Sequence, residues 1–133
     1  MADFISFNEG RALLANSGLP STCTFALSTK DCNTHVVTDV YSSFGEITGT
    51  GYARQTEAEP TASSANPSAV VFAAKTFATS SATDWPASVK SCVLVDAGNT
   101  KLICAWNLVA GGTARAMNAA NTTESFTPTL NVA

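Results

Sequence analysis

The chain holds one histidine, His35, so any chemistry that needs an imidazole must pass through it. Cys32-Asn33-Thr34-His35 sets a thiol and an imidazole close in sequence, and Cys23 would be the nearest third metal ligand. Zinc sites normally use two closely spaced ligand pairs. Here one pair stands alone, so no metal is expected and His35 reads as an ordinary loop histidine. A Ser–His–Asp nucleophile system would also need His35, but no Gly-x-Ser-x-Gly occurs and serines are abundant throughout. Glu57 and Glu59 are a carboxylate pair, the raw material of acid–base catalysis. A general acid needs burial to raise its pKa, and these two fall in a Pro-rich stretch that reads as solvated.

Gly49-Thr50-Gly51-Tyr52-Ala53-Arg54-Gln55 poses a sharper question. A dinucleotide fingerprint needs Gly-x-Gly-x-x-Gly between a strand and a helix. Arg54 stands where the third glycine should be, and "QTEAEPTA" follows in place of a helical pattern. A phosphate loop would need Gly-Lys-Ser/Thr, which this segment lacks. The reading is therefore a glycine-assisted turn into a strand. Tyr52 then packs and Arg54 reaches an acceptor, either an internal carboxylate or a neighbouring subunit. Trp106 alternates with Leu102, Cys104 and Leu108 and reads as core; Trp85, before Pro86, sits at a loop-to-strand entry and stays open to ligand stacking. Asn121-Thr-Thr is a short sequon match with no export signal to accompany it. No cofactor is expected, and the chain is not read as an enzyme.

These residues must be positioned by a chain of 133 residues, a length that suits one domain spanning 1–133. Charged residues make up only 13%, against roughly 25% in typical soluble domains, with Ala, Thr, Ser and Asn filling the difference. Low charge lowers the desolvation cost of touching another protein and suggests an assembly component. The net charge is −3 and the basic residues are dispersed, which leaves no footprint for nucleic acid. Apolar runs fall short of the ~18 residues of a membrane span. "MADFISFNEG" lacks a basic start and an apolar core, so it is not read as an export signal and synthesis in the cytoplasm is expected.

Residues 1–5 read as an N-terminal arm. Residues 6–17 read as the one convincing helix, with Ser6 and Glu9 in a capping-box pattern, Phe7, Leu13 and Leu14 on one side, and Gly18 and Pro20 ending it. Gly10 inside it costs up to ~1 kcal/mol relative to Ala. "TCTFALSTK" alternates as a half-buried strand, "KDCNTH" reads as a loop, and "VVTDVYSSF" as an extended arm or poor strand. Residues 56–68 form the clearest loop. "AVVFAAKTFATS" leans to β. "SCVLVDAGNTKLICAWNL" is a hairpin apolar on both faces, and so central. A three-residue turn would set Cys92 opposite Cys104; a four-residue turn would not. "SFTPTLNV" closes the chain, with Pro128 marking an edge or a strand end. The sum is a mainly β fold, a β-sandwich or jelly-roll-like barrel with one short N-terminal helix.

Taken together, "GTGYARQ", "DWPASVKSCVLVDAGNTKLICAWNL" and "AGGTARAMNAANTTESFTPTLNV" resemble a group of small structural proteins of tailed bacteriophages. The shared order is a helix, a strand near "LSTKD", Gly-x-Tyr-Ala-Arg-Gln, Trp-Pro, a hairpin ending in Asp-Ala-Gly, and a last strand. The resemblance runs from about Phe7 to Val132. It departs between Gln55 and Ala69, where this chain is Pro-rich and relatives often continue in a strand. It implies a non-enzymatic virion protein, assembled in the host cytoplasm as a trimeric or similar symmetric homo-oligomer. The leading expectation is a capsid decoration (cement) protein bound to the major capsid protein. The alternatives are a tail, baseplate or fibre-adaptor protein bound to tail proteins, and a carbohydrate-binding β-sandwich. Phe4, Ile5, Tyr52, Arg54, Glu57, Glu59 and Trp85 are the candidate contact residues.

Overall fold

A computed structural model describes residues 3–49, 52–60, 69–78, 89–114 and 123–131. Its elements are β1 (Phe4–Ser6), α1 (Asn8–Asn16), β2 (Thr22–Ser28), a 3-10 turn (Tyr41–Ser43), β3 (Gln55–Ala58), β4 (Ala69–Val71), β5 (Lys75–Ala78), β6 (Ser91–Asp96), β7 (Lys101–Asn107), β8 (Thr123–Phe126) and β9 (Thr129–Asn131). Five strands form one sheet in the order β1-β7-β6-β2-β3, with β4–β9 and β5–β8 as separate ladders. All these pairings are antiparallel. Among the described residues the fold is mainly β with one α-helix, as expected. The sheet has free ends at β1 and β3, so among the described residues no closed barrel forms.

The central hairpin is where its two-sided apolar pattern placed it. Phe25, Leu27, Cys92 and Leu94 point into one cluster; Ala26, Val93 and Val95 point into the other. Such alternation means that both faces of the sheet are covered. Phe72, Phe77 and Leu130, from the two ladders and the turn between β4 and β5, cover the first face, where Phe72 meets the Phe25 ring edge-on at 5.0 Å. Phe7, Cys32 and Phe44 cover the second. β2 is consequently buried on both sides, including Thr24 and Ser28, and is not the half-buried strand its alternation suggests.

The turn takes the four-residue option, because Asp96 pairs with Lys101. Cys92 then lies opposite Trp106 and Cys104 opposite Leu94, and all four cysteines are free, buried thiols. Thr100 adopts φ 53° to close the turn, an unusual conformation for a β-branched residue. The register slips by one between Leu94 and Val95, leaving Ile103 as a bulge.

That bulge seats the helix. The Phe7 N–H donates to the Ile103 carbonyl at 3.0 Å, and Gly10 lies directly on the Ile103 backbone. A Cβ at Gly10 would sit well inside contact distance of the Ile103 oxygen and Cα. The glycine is there for close approach, at the expense of helix propensity. The capping box does not form. Ser6 ends β1, Phe7 is the N-cap, and no side chain caps the helix. The Glu9 carboxylate, freed from that role, accepts the Leu102 N–H at 2.8 Å and the Tyr41 N–H at 3.3 Å. Gly18 (φ 77°) follows the helix as its pattern requires.

Three further segments depart from their sequence patterns. Phe4 and Ile5 are no loose arm: they lie in β1, paired with Trp106 and Ala105, and Asp3 is held by Asn107 and Gly111. Residues 56–58 of the Pro-rich stretch 56–68 are strand, part of β3; residues 61–68 lie outside the described set. "VVTDVYSSF" is a series of tight turns ending in the 3-10 turn. At the far end of the chain, Pro128 divides the closing strand, sending β8 to β5 and β9 to β4, while its carbonyl accepts the Phe72 N–H at 3.0 Å.

Gly10→Ala is expected to destabilise the fold by about 2 kcal/mol despite the better helix propensity, because the added methyl must lift α1 from Ile103. Urea denaturation with an unchanged m-value is the check.

Candidate functional site

Arg54 finds an internal carboxylate. Its Nε and Nη2 donate to the two oxygens of Glu46 at 2.8 and 2.7 Å, a forked pair. Nη1 donates to the Tyr41 hydroxyl at 2.6 Å, with the guanidinium 5.3 Å from that ring's centre. Tyr52 completes the group: its hydroxyl donates to Glu46 Oε1 at 2.8 Å and accepts the Leu27 N–H at 3.1 Å, and its ring stacks on Phe77. Partial burial works against ionisation of Glu46, but the Arg54 and Tyr52 hydrogen bonds outweigh it and hold the carboxyl below its ordinary range. The Tyr52 N–H donates to the Gly49 carbonyl at 3.2 Å, and Thr50 and Gly51 lie outside the described residues. Arg54 and Tyr52 thus form a structural clamp joining the 3-10 turn, Glu46 and β2.

Glu57 and Glu59 do not act together. Glu57 lies in β3, reaches Lys75 Nζ at 2.7 Å and accepts the Ala73 N–H at 3.1 Å. Burial raises its pKa, but the Lys75 and Ala73 hydrogen bonds more than compensate, and the group sits below its ordinary value. Lys75 is itself buried, donating also to the Ala73 carbonyl and lying 5.3 Å from the centre of the Phe25 ring. Glu59 is exposed and bonds by its backbone to Ser21.

His35 departs most from expectation. It is buried, with Nδ1 3.2 Å from Asp39 Oδ2 and Nε2 3.3 Å from Ser91 Oγ. The residue types are those of a nucleophile system. Their placement is not: Ser91 is 0% exposed and donates its proton to the Lys30 carbonyl at 2.6 Å. Phe7 meets the imidazole edge-on at 5.3 Å, and Lys30 reaches Asp39 at 3.4 Å. The group fastens the loop after β2 to the start of β6. Sequence spacing could not reveal it, because Ser91 is distant in the chain and sits in an apolar strand.

The thiols do not join the histidine. Cys32 donates to the Ala105 carbonyl at 3.5 Å, Cys23 belongs to the opposite core, and both imidazole nitrogens face Asp39 and Ser91. Burial pushes Cys23 up to about 11 and Cys32 up to about 12, so both stay protonated at neutral pH. Among the described residues no group of three metal-ligating side chains comes together. No helix among them is long and apolar enough to cross a membrane.

Trp106 is core, its Nε1 donating to the Thr129 carbonyl at 2.9 Å; Trp85 and Asn121 lie outside the described residues. Phe4 is half-exposed and packs on Trp106, and Ile5 packs on the second core. The surface feature that sequence reasoning missed is apolar: Val36, Val37 and Val40 stand exposed on the loop anchored by His35. The signal was present as three valines in a stretch that fits no strand alternation.

No family model matches the chain, and no curated protein or solved structure matches it.

Burial lowers the His35 pKa below 6.5 in spite of Asp39, which pulls it the other way. A group of this kind binds protons better when unfolded, so it contributes stability above pH 6.5 that is lost as pH falls below it. Stability measured by urea denaturation is expected to decline in two stages on acidification, first through the imidazole range and then through the carboxylate range of Asp39, Glu46 and Glu57. His35→Asn should remove the first stage alone. Glu46→Gln should cost about 1–2 kcal/mol at pH 7, since it leaves the partly buried Arg54 without its counter-charge.

Proposed function

We propose that this chain is a non-enzymatic structural protein of a tailed-phage particle, a capsid decoration protein that binds major capsid protein on the outside of the head. The observation that carries the reading is a division of labour in one loop. The chain's one imidazole is sealed inside beside an inaccessible serine, while three valines are held out to solvent. The Arg54, Lys75 and Lys30 ion pairs are made within the chain, Lys75 buried and Arg54 and Lys30 partly exposed, consistent with a charge-poor surface made for contact. The sequence resemblance supplies the particle. The two ladders over the Phe25 face support the finer description of the fold as a β-sandwich.

A decoration protein adds a few kcal/mol per copy, multiplied over a shell by repetition. Arg54 and Tyr52 keep an indirect part in this role: they brace the segment behind the contact surface, with their polar groups turned to Glu46 and the β2 backbone. The test is fractionation of purified particles by sedimentation. The protein is expected in heads and absent from isolated tails, and purified protein should rebind heads stripped of it and raise their melting temperature. Recovery in tails alone, or in no particle, would overturn the proposal.

A further inference from the structure

Two carboxylate residues are buried among the described residues, Asp39 and Asp96. Asp39 meets Lys30 and His35. Asp96, at the end of β6 and only 4% exposed, forms no ion pair among the described residues. Its two oxygens accept the Asn99 N–H at 3.2 Å and an Asn99 Nδ2 proton at 2.7 Å. These are neutral donors; they satisfy lone pairs and leave the charge in place. A charge so placed is costly until one of opposite sign reaches it. Lys101 stands opposite Asp96 in the hairpin register but makes no ion pair with it. It is exposed and lines a neighbouring cleft beside Glu9. Asp96 and Glu9 against Lys101 still leave one negative charge in excess.

Asp96 lines a separate cleft of about 370 Å³ between the end of α1 and the turn of the hairpin. It is the only charged residue in that lining among the described residues. Leu13, Leu19 and Pro20 give the cleft an apolar wall. Ser17 and Ser21 line it too, and their hydroxyls bond to no other described residue. Apolar walls with a few convergent polar groups are the usual make-up of a binding cleft. Among the described residues no aromatic ring lines it to stack on a sugar, and no group of three metal-ligating side chains forms there to hold a divalent cation.

We infer that the Asp96 cleft receives a lysine side chain of a partner protein. The four-carbon stem lies along Leu13, Leu19 and Pro20, and the ammonium meets the carboxylate that the fold leaves without a counter-charge. The ammonium's three donors suit the lone pairs of Asp96 that Asn99 does not use, together with the seryl oxygens. An arginine fork fits less well, because it takes both carboxylate oxygens side by side and Asn99 already bonds to each. The inference deepens the proposed function by giving the partner one anchoring residue. It rests on that reading for the partner's identity and on the cleft alone for the chemistry.

The probe is the capped peptide acetyl-Ala-Ala-Lys-Ala-Ala-amide, titrated at fixed ionic strength into the full ¹⁵N-labelled chain. Its control has norleucine in place of lysine, which keeps the stem and lacks the ammonium. The lysine peptide should shift the amide signals of Ser17, Gly98 and Asn99 with a Kd of about 1 mM, and bind at least about 10-fold more tightly than the control. Asp96→Asn should abolish that preference. Because Asp96 also holds the turn, Ser17→Lys is the second variant: exposed and just past α1, it sets a tethered ammonium at the cleft and should exclude the peptide. Equal binding of the two peptides, shifts confined to other surfaces, or no shifts up to about 10 mM would overturn the inference. So would calcium chloride or a methyl glucoside shifting the same signals at lower concentration than the peptide, since the cleft would then belong to a metal ion or a sugar. A dimer mass in sedimentation that Asp96→Asn abolishes would give the lysine to a second copy and overturn it equally. Because no particle is used, failure here is separable from failure to find the protein in heads.

Discussion

The Gly10–Ile103 contact organises much of what surrounds it. A bulge in the central hairpin turns the Ile103 backbone toward the helix, and only a residue without Cβ can lie on it. With α1 seated there, Glu9 reaches the amides of Leu102 and Tyr41, and Asn8 reaches the Val37 carbonyl. These bonds fix the 3-10 turn and the loop before it, and so fix where the valines point. A backbone accommodation in the core thus sets the shape of the surface.

Three charged or titratable side chains set into the fold each meet a partner: Glu46 with Arg54, Lys75 with Glu57, His35 with Asp39. Removing one partner of such a pair costs far more than the pair contributes in net terms. These groups consequently act as position markers between segments that share few apolar contacts, notably β3 with β5 and the loop after β2 with β6. Their residue types resemble a catalytic inventory; their burial gives them structural work.

Much of the fold was legible from the sequence because it rested on local pattern. The two-sided apolar hairpin announced a central position, and Leu13, Leu14 and Gly18 marked the helix and its end. What escaped depended on distant partners. Ser6-x-x-Glu9 has the spacing of a cap, yet tertiary amides of Leu102 and Tyr41 compete for Glu9 and win. Thr24 and Ser28 look solvent-facing until a second layer covers them, and Glu57 looks solvated until Lys75 arrives. The candidate surface was the least legible part. Valines in a turn-rich stretch can be read as core or as surface, and the answer lay in how His35 and Asp39 were satisfied.

The division of the closing strand at Pro128 bears on how the polypeptide is made. Strands β4 and β5 wait for β9 and β8, their partners about sixty and about fifty residues further along, so the layer over Phe25 cannot be completed while residues 123–131 are still within the ribosome. Until then Phe72 and Phe77 lack their final cover, and the nascent chain shows its stickiest face to whatever chaperone is at hand.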